Sequence, residues 1–341
     1  MNKLAGVELA RGFASVMVML FHFSFLITDE ISILNFFVTG VELFFVISGL
    51  VFARYIQQGI DDYRVFFLKR FFRLYPLYFL SLIVYYGITP EHADKVIFFF
   101  RHLLFLGTTI SLEEAYFFNI TYWTLPVEVE FYLLIPLLSL FFRNRIATAI
   151  FVMFALYIVI YLAQHRTAYP TNLSYILSSH LPGFILDFLI GVACYYFVFH
   201  PCVIKNKGVI TPVVLVILIP LLVFLVSILT NQSNDYLLLK SVGLYNILCA
   251  LAYGLLLAVI TINDEKIEKV TPRYWVEVIG GISYPLYLFH MAILIITQQL
   301  LNDENNIVMF FTAMITALVL SYFTYIKIEK PLISYAKRTI K

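Results

Sequence analysis

The chain has 341 residues, of which 62% are hydrophobic, 18% aromatic and only 13% charged, with 23 Lys and Arg against 21 Asp and Glu and a formal net charge of +2. Its mean hydropathy is +0.90, whereas a soluble domain carries about 25% charged residues. A soluble enzyme and a nucleic-acid-binding protein are thereby excluded, and an all-α polytopic integral membrane protein is expected.

A bilayer core about 30 Å thick takes roughly 20 apolar residues of helix per crossing. Windows of that kind recur along the chain and predict about ten transmembrane helices, at 7 to 27, 34 to 54, 71 to 88, 125 to 142, 147 to 164, 181 to 199, 208 to 229, 241 to 262, 276 to 299 and 306 to 326. Residues 96 to 107 are apolar but too short to span, which suits an interfacial or re-entrant helix. The first window has no small-residue cleavage site and contains Arg11, so it is read as a retained helix rather than a signal peptide. Cys194, Cys202 and Cys249 show neither paired nor metal-ligand spacing, so no disulfide framework and no metal site are expected.

Lys and Arg alternate between the loops as the positive-inside rule requires. One side holds Lys3, Arg54, Arg64, Lys69, Arg70, Arg73, Arg143, Arg145, Lys205, Lys207, Lys266, Lys269, Arg273, Lys327, Lys330, Lys337, Arg338 and Lys341. The other holds only Lys95, Arg101, Arg166 and Lys240, beside acids such as Asp29, Glu30, Asp303 and Glu304. Both termini are therefore expected in the cytoplasm. A single domain over 1–341 is expected, with no appended soluble domain, since no linker, repeat or low-complexity tract interrupts the pattern.

Ionisable groups at membrane depth cost a few kcal/mol each, so each is a functional candidate. The first helix carries Arg11 and His22, the second Glu42, the fourth Trp123, Glu128 and Glu130, the sixth Asp187, and the ninth Tyr284, Tyr287 and His290. Arg11 and His22 are eleven residues apart, which places them on one stripe about 16 Å apart along the axis. A buried imidazole beside a carboxylate, such as Glu42 or Glu128, makes a general base able to deprotonate a hydroxyl. Glu128 and Glu130 lie roughly 200° apart around a helix and cannot serve the same site. Arg70 and Arg73 share a face at i, i+3, and paired guanidinium groups suit phosphate oxygens. Intramembrane charges also mark solute pathways, so export of polysaccharide intermediates is the alternative reading, although no inverted repeat is evident.

These residues form a pattern that resembles the membrane-bound acyltransferase 3 family along the whole chain. Arg11 and His22 match its arginine, ten residues, histidine signature, and Gly40-Val41-Glu42-Leu43-Phe44-Phe45-Val46-Ile47-Ser48-Gly49 matches its second signature, with glutamate for the usual aspartate. Arg70 and Arg73 match its arginine pair, and Trp123-Thr124-Leu125-Pro126-Val127-Glu128-Val129-Glu130-Phe131-Tyr132 matches its Trp-Ser-Leu stretch, with threonine for serine. Ser283-Tyr284-Pro285-Leu286-Tyr287-Leu288-Phe289-His290 and Glu329-Lys330-Pro331 resemble its closing motifs.

The resemblance implies an O-acyltransferase, in particular an O-acetyltransferase, using acetyl-CoA or another acyl-CoA from the cytoplasmic side, without a metal. It places Arg11, Arg70 and Arg73 at the donor phosphates and His22, with Glu128 or Glu42, at the chemistry. It places Trp123, Tyr284, Tyr287, His290 and Ser48 at the acceptor. The implied acceptor is a sugar of a cell-envelope polysaccharide or lipid-linked glycan, in a bacterial cytoplasmic (inner) membrane, with membrane lipids and polysaccharide-assembly proteins as further partners. Some relatives carry an extra-cytoplasmic esterase-like domain, so this chain is expected to finish the transfer itself or hand the group to a partner.

Overall fold

The computed structural model describes residues 4–27, 33–166, 179–230, 244–301 and 306–340. Lys3, Asp29, Glu30, Lys240, Asp303, Glu304 and Lys341, named above for their charge, lie outside the described residues. No strand occurs among the described residues. In chain order the helices are α1 (Ala5–Ser24), α2 (Gly40–Gln58, entered through a 3-10 turn at Ile33–Thr39), α3 (Tyr63–Ile88), α4 (Lys95–Leu103), α5 (Leu112–Tyr116) and α6 (Thr124–Phe142, entered through a 3-10 turn at Ile120–Trp123). They continue with α7 (Ile146–Arg166), α8 (Leu181–Val198), α9 (Pro201–Lys205), α10 (Lys207–Thr230), α11 (Leu244–Ile262) and α12 (Asp264–Val270). The last are α13 (Arg273–Leu300), α14 (Asn306–Thr324) and α15 (Lys330–Thr339), the latter two joined by a π-helical turn at Tyr325–Glu329.

Nine helices among the described residues are long and apolar enough to cross a membrane, and α7 supplies a shorter apolar stretch, Ile146–Val159, at the remaining expected position. The chain is an all-α polytopic integral membrane protein. Three differences from the predicted windows have simple causes. α3 starts at Tyr63, because the Asp62 side chain accepts the Val65 N–H at 3.0 Å and caps the helix there, so it begins well before the predicted start at 71. The stretch at 96 to 107 yields only the nine-residue α4, which ends at Leu103 in a turn where Phe105 has φ of 59°. The last span continues through the π turn into α15, whose Tyr335 meets Phe72 of α3 with ring centres 6.2 Å apart.

The chain gathers into two compact units: one of Met1–Arg54, Leu186–Ser283 and Asn305–Phe310, the other of Tyr55–Ile185, Tyr284–Glu304 and Phe311–Lys341. The first is packed on glycines. A Cβ added at Gly49 of α2 would lie 2.0 Å from the Phe188 carbonyl oxygen, and one at Gly191 of α8 2.0 Å from that of Val46, so the two backbones touch reciprocally. Gly40 meets the Ala14 carbonyl of α1 in the same way, and Gly12 of α1 meets Ile279 of α13. Apolar side chains gain nothing by leaving lipid for each other, so close backbone approach through small residues supplies the attraction.

The second unit is packed on tyrosines. Tyr78 and Tyr85 of α3 set their rings edge-on to Tyr122, whose hydroxyl meets that of Ser81 at 2.7 Å. Tyr85 reaches α13, where its hydroxyl donates to the Leu288 carbonyl at 3.0 Å and accepts the Ala292 N–H at 2.9 Å. Asn119 donates to the same carbonyl at 3.1 Å. A small cap of α4, α5 and their turns completes the unit, tied by the Arg101–Glu114 pair at 2.9 Å and by Lys95, which bonds Glu91 at 3.0 Å over the Tyr86 ring.

Candidate active site

In the first unit, α1 carries Arg11 and His22 on one half-buried face, both on the same unbroken helix. Arg11 sits 3.9 Å from Glu8 one turn earlier, so the neighbouring acid holds its guanidinium along α1. His22 places Nδ1 3.0 Å from the Val18 carbonyl. A carbonyl only accepts, so Nδ1 carries the proton and Nε2 keeps the basic lone pair, as a general base requires. The His22 ring packs edge-on to Phe21 at 5.0 Å.

Glu42 takes a different partner from the one expected. Its carboxylate accepts from Asn246 of α11 at 3.1 Å and lies in electrostatic contact with Asp187 of α8, and its hydrogen bond does not go to His22. Thr39, which ends the 3-10 turn before α2, and Tyr253 of α11 join hydroxyls at 2.5 Å. Ser48, one residue before the Gly49 contact, is buried at 5% exposure within α2. Asp187 was visible as an intramembrane charge, but nothing local in the sequence tells that it comes within electrostatic range of Glu42.

The second unit brings together most of the remaining candidates. Arg70 of α3 donates to the Tyr55 hydroxyl at 3.2 Å and lies 5.0 Å from the Phe66 ring, an aromatic cradle that fixes the guanidinium. Arg73, one turn on, and Arg70 both act electrostatically on Tyr132 of α6, which donates a hydrogen bond to Glu128. Glu128 in turn lies within electrostatic range of Tyr284 and Tyr287 of α13. Tyr284 donates to the Leu74 carbonyl at 2.9 Å, and the Tyr287 hydroxyl meets that of Thr124 at 2.6 Å and the Thr121 carbonyl at 3.1 Å. Glu329, buried at 4% exposure in the π turn, also lies within electrostatic range of Tyr284. π turns recur where a helix must aim a functional side chain.

His290 is fully buried one turn above Leu286, whose carbonyl its Nδ1 meets at 2.9 Å, and its ring lies 6.3 Å from that of Tyr287. Trp123 packs instead on Phe184, ring centres 5.1 Å apart. Glu128 and Glu130 diverge as their spacing requires, Glu128 to Tyr132 and Glu130 to His180. Sequence reading named Glu329, Thr124 and Tyr132 only within motifs and did not name His180. The Glu329-Lys330-Pro331 run was the available signal for the first.

Arginines, a carboxylate and phenols from three separate stretches of sequence thus lie within electrostatic range of one another around α3, α6 and α13, in the order the motifs have along the chain. A family model described as an acyltransferase domain, number three of the acyltransferase families, matches residues 4–326. The chain belongs to the acyltransferase 3 family. It is an acyltransferase. Among curated proteins it is similar to one from Acidianus two-tailed virus named "Putative acetyltransferase ORF330", with 25% identity over 287 residues, 82% of this chain and 80% of that protein. No solved structure matches the chain.

Proposed function

We propose that this acyltransferase moves an acetyl group from acetyl-CoA to a sugar hydroxyl of a cell-envelope polysaccharide or lipid-linked glycan, in a bacterial cytoplasmic membrane. The observation that carries the reading is that Arg70 and Arg73 lie within electrostatic range of Tyr132, which bonds Glu128, itself within range of Tyr284, in the second unit. Two guanidinium groups one turn apart on α3 suit the phosphates of a nucleotide carrier. Arg11 is the third donor-binding candidate.

His22 is the general base in this reading, its Nε2 taking the proton of the attacking hydroxyl. Glu128 and Glu42 are the carboxylates that position groups or take up that proton. Phenol hydroxyls of Tyr284 and Tyr287, with Trp123, His290 and Ser48, bind the acceptor, and hydroxyl donors of this kind stabilise the oxyanion that forms when the thioester is attacked. Support for the acetyl group comes from the name of the viral relative.

The test is reconstitution of the purified chain in liposomes with labelled acetyl-CoA and a lipid-linked glycan. Label should appear in the glycan, and His22→Ala should abolish it while the protein still accumulates in the membrane. Arg70→Ala combined with Arg73→Ala should weaken acetyl-CoA binding at least tenfold. Unchanged affinity in that pair would remove the donor site from α3.

A further inference from the structure

One group of side chains in the second unit takes no part in the reading above. Glu130 lies in the second turn of α6, His180 immediately precedes α8, and Thr108 lies in the turn between α4 and α5. His180 Nδ1 lies 2.5 Å from Glu130 Oε1, and His180 Nε2 lies 3.2 Å from Thr108 Oγ1. The second oxygen of Glu130 accepts the Leu181 N–H at 2.7 Å, which locks the carboxylate in place. An ionised carboxylate only accepts, so Nδ1 carries the proton, and in the neutral imidazole Nε2 keeps a lone pair toward the Thr108 hydroxyl, with the Thr108 backbone carbonyl also beside the ring. Acid, imidazole and hydroxyl in this order form the arrangement that turns an alcohol into a nucleophile.

The surroundings suit a covalent ester. Thr108 is 3% and His180 6% exposed, yet Leu104, Leu106 and Ile110 of the same turn are 65%, 46% and 55% exposed. The hydroxyl therefore sits one residue beneath an apolar surface turn, shielded from bulk water that would hydrolyse an ester. A second imidazole backs the same turn: a Cβ at Gly107 would lie 2.5 Å from the His102 ring. His102 gives Nδ1 to the Phe98 carbonyl at 2.9 Å, and its buried Nε2 has no hydrogen-bond partner.

We propose that Thr108 is an acyl-accepting nucleophile, with His180 as its general base and Glu130 as the positioning residue, forming an acyl-threonine that is then passed to an alcohol. In the first step Thr108 Oγ1 bonds to the thioester carbonyl carbon and its proton passes to His180 Nε2. The carbon–sulfur bond breaks, and the leaving thiolate takes that proton. In the second step the acceptor hydroxyl loses its proton and bonds to the acyl carbon, while the carbon–Oγ1 bond breaks and Oγ1 takes up one proton. The natural thioester donor is the one of the preceding section, on which this step rests; the test uses a probe that does not.

The full chain in detergent is mixed with p-nitrophenyl acetate, and nitrophenolate release and the site of covalent acetyl are measured. The expected result is a burst of one nitrophenolate per chain, with one acetyl group on the peptide containing Thr108. Thr108→Val should lose both and Thr108→Ser keep both, while His180→Gln should slow the burst about 100-fold. Thermal midpoints establish that each variant is folded. Acetyl on another residue, or a folded wild type that takes none, overturns the proposal. Undiminished glycan acetylation by Thr108→Val in liposomes overturns it too, and leaves the acetyl-CoA reading intact. Loss of the acetyl-CoA reaction with the Thr108 label retained separates the two the other way.

Discussion

Three histidines hold one local geometry. His22, His102 and His290 each place Nδ1 within 3.0 Å of the carbonyl four residues earlier, at Val18, Phe98 and Leu286. The helix thereby sets the tautomer and turns Nε2 outward. His180 differs because a carboxylate replaces the carbonyl. The Glu130 hydrogen bond holds its imidazole above the ordinary histidine range, whereas burial holds that of His102 below it. The signs for stability are opposite. The His180 contribution is fully present below the unfolded value of about 6.5 and lost as pH rises through the raised folded value. For His102 the unfolded chain takes the proton first, so stability falls as pH drops below about 6.5. Histidine NMR should show the His180 ring titrating above about 6.5, and Glu130→Gln should bring its midpoint down. A midpoint unmoved by that substitution would mean the pair is not formed in the membrane protein.

At the scale of helices, the glycines of the second signature carry the packing. Gly40 opens the α1 contact and Gly49 the α8 contact, where Gly191 returns it. Gly191→Val should therefore destabilise the chain by about 1 to 3 kcal/mol or more through overpacking, read as a lower thermal midpoint. Gly208→Val meets open space and should change little. The sequence displayed these glycines, but as part of a motif; what each one touches lies far away along the chain. The same holds for Glu42, whose partner Asn246 is 204 positions on, and for Glu130 and His180, separated by 50. Spans are legible because lipid demands an uninterrupted apolar run, and the motif arginines, glutamate and tyrosines because their spacing is short-range. Pairings between helices follow from packing, which no periodicity encodes.

For the molecule as a whole, orientation turns on α7. Only if it crosses do the basic turns at Arg143–Arg145 and Lys205–Lys207 fall on opposite ends of an even path that leaves every basic cluster on one side. An impermeant maleimide should label Asp61→Cys and Arg338→Cys from the same side of sealed vesicles, and Asp94→Cys from the other, with the three native cysteines replaced. Labelling of Asp61→Cys and Arg338→Cys from opposite sides would mean an odd number of crossings.

Tyr85 has a mechanical meaning for the region around His290. Its hydroxyl stands between the Leu288 carbonyl and the Ala292 amide, the two groups that bracket that histidine on α13. One phenol thus acts as a rivet through the turn, so a shift of α3 along its axis drags the imidazole with it instead of sliding past.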